Sequence, residues 1–332
     1  MAKNEAPIIT RAVKSAAKHV DSFLLVDTGS TDGTEKVFMA ACSNEGKAAT
    51  VRHTEWRDFG TTRTEVYEIA SRVYPDHYLL ILDADDQIEA LPRPDWLLAS
   101  AYRLKCYSEG NTFYYPRLLK PGIAMKYVGV THEYLDLPLT DQGSLCDSVY
   151  RLGFDSIRRA EGRKDLEDYE LLKNLKNKTP RDVFYLAQTA ALLGRTDEAK
   201  SWYARRVSQS AGSYEERYVA CVRLAKIYLA QGDAFARQTA LTYASLGSQL
   251  RPHRKECWLL LSRWNLLEGG YQSARKYADR CMAVTNGVDQ LFVDDAITVD
   301  IQARAILADC TAKLAVNPCD ILDSCQVYCS GS

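Results

Sequence analysis

Tyr78-Leu79-Leu80-Ile81-Leu82-Asp83-Ala84-Asp85-Asp86 is an apolar run that stops abruptly in carboxylates. A short, continuous apolar stretch of this kind reads as a fully buried strand. Carboxylates at the carboxyl end of such a strand are expected to face the ligand crevice of an open α/β sheet. Alternation along an extended backbone places Asp83 and Asp85 on the same side, where both can serve one hard cation, or one cation and a sugar hydroxyl. Magnesium or manganese is the natural occupant where a diphosphate must be neutralised. Acidic turns after strands are common, so this pattern gains its weight from its surroundings.

Toward the amino end, residues 22–26 form another apolar run that stops at Asp27 and opens through Thr28-Gly29-Ser30-Thr31-Asp32-Gly33-Thr34 into a helical pattern. A strand ending in an acid and turning through glycines suits a polar ligand: the carboxylate accepts from a base or ribose, and the glycines allow close backbone approach. No Gly-Lys-Ser/Thr follows, and GxGxxG is absent, so neither a P-loop nor the dinucleotide fingerprint is present. Asp27-Thr28-Gly29-Ser30 also looks like an aspartic-protease loop, but that chemistry needs a second such loop, and the chain has none. A plainer reading, a capped turn with Asp32 as helix cap, is compatible with a role for Asp27.

Around these turns, residues 8–20 and 61–73 carry helical periodicity and 49–54 reads as a strand. The first ~140 residues therefore alternate between helix and strand, the signature of an α/β domain with a largely parallel sheet. From about residue 158 amphipathic helices take over. Leu186-Ala187, Leu224-Ala225 and Leu261-Ser262 each precede a glycine (Gly194, Gly232, Gly269) by seven residues, and the glycines are spaced 38 and 37 apart. Each is followed by a helix with small residues on one face: Ala199 with Tyr203, Ala240 with Ala244, Ala274 with Ala278. Helix-turn-helix units stacked as a short solenoid fit this spacing, with an ordinary helical bundle as the alternative. The expected organisation is an α/β domain over 1–150 and an all-α helical-repeat domain over 151–332.

The chain has 332 residues, 42 Lys+Arg against 43 Asp+Glu, and 46% apolar content, which is enough core for about two domains and lacks the basic footprint of a nucleic-acid binder. No apolar run approaches the roughly 20 residues of a membrane helix. The opening Met-Ala-Lys-Asn-Glu has no secretory character, so the expected compartment is the cytosol. Ten cysteines without a CxxC pair read as reduced, mostly buried thiols. The one cluster, Cys319, Cys325 and Cys329, reads as a free tail rather than a bridge. Trp96, Tyr114 and Tyr115 can stack on a sugar or base, although packing is the plainer role for aromatics beside an α/β core.

Lys3-Asn4-Glu5, residues 26–34, Trp56-Arg57-Asp58-Phe59 with Arg63, residues 82–86 and Gly129-Val130-Thr131-His132-Glu133 occur in the order and approximate spacing of family 2 glycosyltransferases of the GT-A fold. The chain most resembles the branch with C-terminal tetratricopeptide-like repeats. That resemblance implies a metal-dependent transferase moving a sugar from a nucleotide diphosphate sugar, UDP-linked, to an acceptor with inversion. By position it implies that Glu5 and Asp27 contact the uracil or ribose, Arg63 the nucleotide or its phosphates, and Asp83 the ribose. Asp85 and His132 would ligate Mn²⁺ or Mg²⁺, and Glu133, with Asp86 as competitor, would be the general base. The acceptor, whether glycan, protein or small molecule, is not specified, and the repeats are expected to bind it or a protein partner or to mediate self-association. The family has a full strand before Lys3-Asn4-Glu5; here it is expected to be absent or nearly so, which keeps open an alternative, a non-catalytic repeat scaffold with a vestigial transferase domain.

Overall fold

The computed structural model describes residues 1–92, 97–108, 111–138, 141–153, 156–284 and 296–316. Trp96 and the cluster Cys319, Cys325 and Cys329 lie outside them. The chain divides into two compact units, Met1–Asn174 and Leu175–Ser332. The expected boundary at 150 falls within the first unit, which keeps two further helices.

In the first unit, α1 (Ile9–Ala16) leads to β1 (Ser22–Asp27), α2 (Thr34–Asn44), β2 (Ala48–His53) and α3 (Phe59–Val73). β1 and β2 pair in parallel, Ser22 opposite Ala48 and Asp27 opposite His53. Ile9, Val13, Leu25, Phe38, Ala41 and Cys42 form their shared core, so the apolar stripes of α1 and α2 bury against β1. Asp58 caps α3, accepting from Thr61 N–H at 2.7 Å.

The remaining strands are β3 (Leu79–Leu80), β4 (Gln87–Ala90), β5 (Ala101–Ser108), β6 (Asn111–Leu119), β7 (Lys126–Val128), β8 (Tyr134–Asp136) and β9 (Gln142–Arg151), followed by α4 (Ile157–Ala160) and α5 (Lys164–Lys173). β3, β6, β5, β9 and β4 lie side by side in one sheet, and β7 and β8 form a separate hairpin. Within the five-stranded sheet only β5 and β9 run parallel; the other pairs are antiparallel. Parallel pairing among the described strands is thus limited to β1–β2 and β5–β9, and β5 and β6 are joined too closely for a crossover helix. The buried strand expected over 78–82 is also shorter, since only Leu79 and Leu80 join the ladder with β6.

The second unit contains α6 (Pro180–Leu192), α7 (Thr196–Ser208), α8 (Tyr214–Gln231), α9 (Ala234–Leu250), α10 (Lys255–Leu267), α11 (Tyr271–Ala283) and α12 (Ala296–Val316). The sequence repeat becomes three helix pairs, α6–α7, α8–α9 and α10–α11. Gly194, Gly232 and Gly269 take positive φ where the first helix of each pair stops. Ala199, Tyr203, Ala240, Ala244, Ala274 and Ala278 are all buried, as their spacing predicts. Successive pairs are tied by charge near the start of their first helices. Arg181 pairs with Glu216 at 2.8 Å, the fully buried Arg254 with Glu215 and Glu256, and Lys255 with Asp300 at 2.7 Å. All seven cysteines among the described residues are free and six of them are buried. No helix among these residues is long and apolar enough to cross a membrane.

Candidate functional site

The end of β1, the turn after β3, the start of α3, the last residues of β6 and the turn before β8 carry the charged side chains of the candidate site. Asp27 closes β1. Its Oδ1 accepts from the N–H groups of Gly29 and Ser30, both at 2.8 Å, so the turn folds back over the carboxylate. Asp27 is 2% exposed, and its Oδ2 has no hydrogen-bond partner among the described residues. Asn4 closes the other side of this turn from a left-handed conformation (φ 58°): its N–H donates to Ser30 Oγ at 2.9 Å, and its Oδ1 accepts from Thr31 N–H at 2.8 Å. Asp32 accepts from Ala6 N–H at 3.0 Å and from Thr34. Burial opposes its charge, but these hydrogen bonds win and hold its carboxyl below the usual range.

Glu5 follows directly. Burial, then the negative charges of Asp85 and Asp32, push its carboxyl up to about 7, against the opposing pull of Ile157 N–H and Arg158. Glu5 and Asp85 are therefore electrostatic neighbours although they are 80 positions apart in the sequence. The turn holding Asp85 is pinned by Arg11, which donates to the Asp85 carbonyl at 3.2 Å. It also approaches Gly153 so closely that a Cβ there would lie 2.0 Å from that carbonyl oxygen.

Arg63, on α3, lies 2.7 Å from Asp83 Oδ1 and 2.6 Å from Glu133 Oε1. The second contact is close but not aligned, since Arg63 Nε makes no hydrogen bond. Backbone geometry brings Glu133 here: Phe59 N–H donates to Val130 O at 3.1 Å and Gly60 N–H to Gly129 O at 3.0 Å. A Cβ on Gly60 would meet Gly129 O at 2.5 Å, so that approach requires glycine. Arg117, on β6, reaches Asp83 Oδ2 at 3.3 Å and Asp86 Oδ2 at 3.4 Å, with its guanidinium over the Tyr150 ring at 4.6 Å. Burial alone would raise Asp83, but the two guanidiniums keep its carboxyl well below the usual range. Asp86 is 3% exposed; burial and the charge of Asp83 raise it, against Arg117, Tyr150 and Gly153. Its Oδ2 accepts from Tyr150 OH at 2.5 Å and its Oδ1 from Gly153 N–H at 2.8 Å.

Asp83, Arg63 and Glu133 thus come together, with Asp86 joined through Arg117. Asp27 and Glu5 flank the neighbouring turn. His132 lies 3.8 Å from Asp168 Oδ2, a buried carboxylate that also takes Arg158 at 2.9 Å and Lys164 at 2.7 Å. Among the described residues no three His, Cys, Asp or Glu side chains form a group that could hold a metal ion. A cage built from Asp85 and His132 with a third side chain is therefore not present among them. The remaining protein-side arrangement is one or two carboxylates completed by phosphate oxygens, which magnesium and manganese accept. Asp85 beside Glu5 fits that donor set. Arg117, Tyr150 and Asp168 escaped the sequence reading, yet Arg117 carried a signal, as a lone charge in the apolar run Phe113-Tyr114-Tyr115-Pro116-Arg117-Leu118-Leu119. Tyr115 lies against that guanidinium at 5.5 Å, and Tyr114 is exposed.

The family model "Glycosyl transferase family 2" matches residues 1–97. No curated protein matches the chain. Similar solved structures include a thermophilic TPR protein of Thermus thermophilus, at 18% identity over 47% of this chain and 77% of that one, with TM-score 0.32. Another is BtubC (BKLC) from P. vanneervenii, at 16% identity over 48% of this chain and 74% of that one, also with TM-score 0.32. Likeness at that level carries no argument. The repeat character of the second unit rests on its own helix pairs, whereas residues 1–97, which hold Glu5, Asp27, Arg63, Asp83, Asp85 and Asp86, are the part of the chain similar to glycosyl transferase family 2.

Proposed function

We propose that the chain is a metal-dependent glycosyltransferase that moves a sugar from a UDP-linked donor to an acceptor nucleophile, with inversion at the anomeric carbon. The observation that carries this reading is the orphaned oxygen of Asp27. A buried acceptor left without a donor costs about 1–3 kcal/mol, which a ribose hydroxyl or a base N–H would recover. Asp85, beside Glu5, would hold Mn²⁺ or Mg²⁺ together with the donor's phosphates. Bound there, the ion would neutralise charge on the departing diphosphate. Asp83 has both oxygens engaged by Arg63 and Arg117, so its part is to orient Arg63 rather than to grip the ribose directly.

Between the two candidates for the base, Glu133 is preferred. Asp86 is enclosed and hydrogen-bonded on both oxygens, so no acceptor hydroxyl can reach it. Glu133, by contrast, is held through Arg63. In the proposed step the acceptor oxygen bonds to the anomeric carbon as the bond to the diphosphate breaks, and the acceptor proton passes to Glu133. The stacked helix pairs of the second unit would serve acceptor binding or self-association, and the free buried thiols suit a reducing compartment.

The test is turnover of a panel of nucleotide sugars with Mn²⁺. Hydrolysis or transfer that disappears in Asp85→Ala supports the reading. A second reading, a non-catalytic repeat scaffold, is favoured by one feature, the stacked helix pairs of the second unit. Failure of every nucleotide sugar to bind would decide for it.

A further inference from the structure

Asp86, Arg117, Asp83, Arg63 and Glu133 make one chain of alternating charge. Arg117 reaches Asp86 Oδ2 at 3.4 Å and Asp83 Oδ2 at 3.3 Å, and Arg63 reaches Asp83 Oδ1 at 2.7 Å and Glu133 Oε1 at 2.6 Å. Each guanidinium therefore bridges two carboxylates, and Asp83 lends one oxygen to each. Both cations also lie over rings, Arg63 over Tyr127 at 5.9 Å and Arg117 over Tyr115 at 5.5 Å and Tyr150 at 4.6 Å. One end of the chain is closed: Asp86 accepts from Tyr150 OH at 2.5 Å and from Gly153 N–H at 2.8 Å, and both Asp86 and Tyr150 are buried. The other end is Glu133, which follows His132 in a left-handed conformation (φ 50°). A backbone of that kind persists only where surrounding contacts hold it, so the place of Glu133 depends on its ties to the rest of the fold.

As a stabilising device such a chain is poor, because replacing buried ion pairs by apolar side chains of similar volume is often neutral or favourable. What it supplies is geometry: a guanidinium fork fixes two partners at once, which a lysine ammonium on its flexible stem does not. We infer that Arg117 is a positioning residue for Glu133. It acts at two removes. Arg117 holds Asp83 from the Asp86 side, Asp83 fixes the fork of Arg63, and Arg63 fixes the carboxylate that takes the acceptor proton. Asp86, enclosed and bonded on both oxygens, is the anchor of the chain, and Tyr150 holds that anchor. The purpose assigned to Arg117 rests on Glu133 being the base of the proposed transfer, whereas the coupling of Asp86 to Glu133 through Arg117 does not.

Two readouts on the full chain test it. The first needs no substrate: urea unfolding of Asp86→Asn, Glu133→Gln and the double variant, each with Arg117 in place and again with Arg117→Lys. Independent effects multiply in the folding equilibrium constant. The expected result is a departure from that product of about threefold or more with Arg117 present, and none with Arg117→Lys, which keeps the charge but loses the fork. The second is steady-state turnover of whichever nucleotide sugar the chain accepts. Arg117→Lys should lose kcat about tenfold or more while KM stays within about threefold, a split that general loosening of the fold would not give. Tyr150→Phe keeps the ring beside the guanidinium and removes only the hydroxyl on Asp86, so it should lower kcat in the same way by less; if Arg117→Lys does not fold, Tyr150→Phe replaces it in both readouts, and the coupling should shrink there. Multiplicative effects with Arg117 in place, coupling undiminished by either substitution, or an unchanged kcat would overturn the inference. A native chain that turns over no nucleotide sugar would overturn the transfer reading instead, and the urea cycle alone would then decide whether Arg117 ties Asp86 to Glu133.

Discussion

Replacing Arg117 by Met tests whether this buried guanidinium holds the acidic turn together. Met retains much of the apolar stem but removes the charge that reaches Asp83 and Asp86. Removing one member of a buried ion pair typically destabilises by about 3–5 kcal/mol. Two features lower that figure here. Asp83 keeps Arg63 at 2.7 Å, and Asp86 keeps its bonds from Tyr150 and Gly153 and can take up a proton. The expected loss at neutral pH is therefore about 2–4 kcal/mol, including the cation–π contact with Tyr150. The pH dependence is the sharper readout. A carboxyl raised in the folded state stabilises fully below its unfolded pKa, and that contribution is lost as pH rises through the folded value. Asp86 is already raised and rises further without Arg117, so the deficit of Arg117→Met should widen as pH rises above the usual carboxylate range. Urea unfolding across that range, in low salt, measures it. Adding Asp86→Asn should recover part of the loss, because the uncompensated charge is gone. A deficit below about 0.5 kcal/mol at all pH values, or one that narrows as pH rises, would refute the reasoning.

Three further outcomes are expected. Glu5 is pushed up to about 7, so its contribution to stability should decline as pH rises from about 4.5 to about 7, and Glu5→Gln should flatten that part of the profile; parallel profiles would contradict the assignment. Gly153→Ala places a Cβ 2.0 Å from the Asp85 carbonyl, so it should lower stability by about 1–3 kcal/mol and weaken Mn²⁺–UDP binding together, readable by melting and calorimetry. In the second unit, Gly247→Ala puts a Cβ 2.4 Å from Cys257 Sγ and 3.2 Å from the Cys221 Cβ; a similar loss in thermal unfolding is expected, and an unchanged melting temperature would mean the helices separate freely there.

Local pattern carried the first unit as far as α3. β1, α2 and β2 begin within a residue of their expected positions, because each run of apolar residues is bounded by Gly, Asp or Thr. The repeat glycines were equally legible, since only a residue at ease with positive φ ends those helices in the observed way. The sheet beyond residue 86 was less so. Its pairings join segments such as β4 with β9 and β5 with β9, which no local period specifies. The apolar run over 78–82 is longer than β3 because such a run marks burial, whereas a ladder also needs partners along its edges.

At the site, the aspartates were visible from their place after strands, but the cations that hold them were not. Arg63 stands out only through the family resemblance. Arg117 sits in a strand whose pairing was not anticipated. His132, which the resemblance places on a metal, takes a positive φ and lies 3.8 Å from Asp168 Oδ2, more than thirty positions away in the sequence.

The central claim, that the turn after β1 and the acidic turn after β3 bind a nucleoside diphosphate through a divalent ion, is tested most directly by calorimetric titration of UDP into the full chain with Mn²⁺ present and absent. Saturable binding is expected that requires Mn²⁺ and weakens about tenfold or more in Asp27→Asn and in Asp85→Ala, each variant retaining its melting temperature to within a few degrees. Absence of binding at any Mn²⁺ concentration, or binding indifferent to both substitutions, would contradict it.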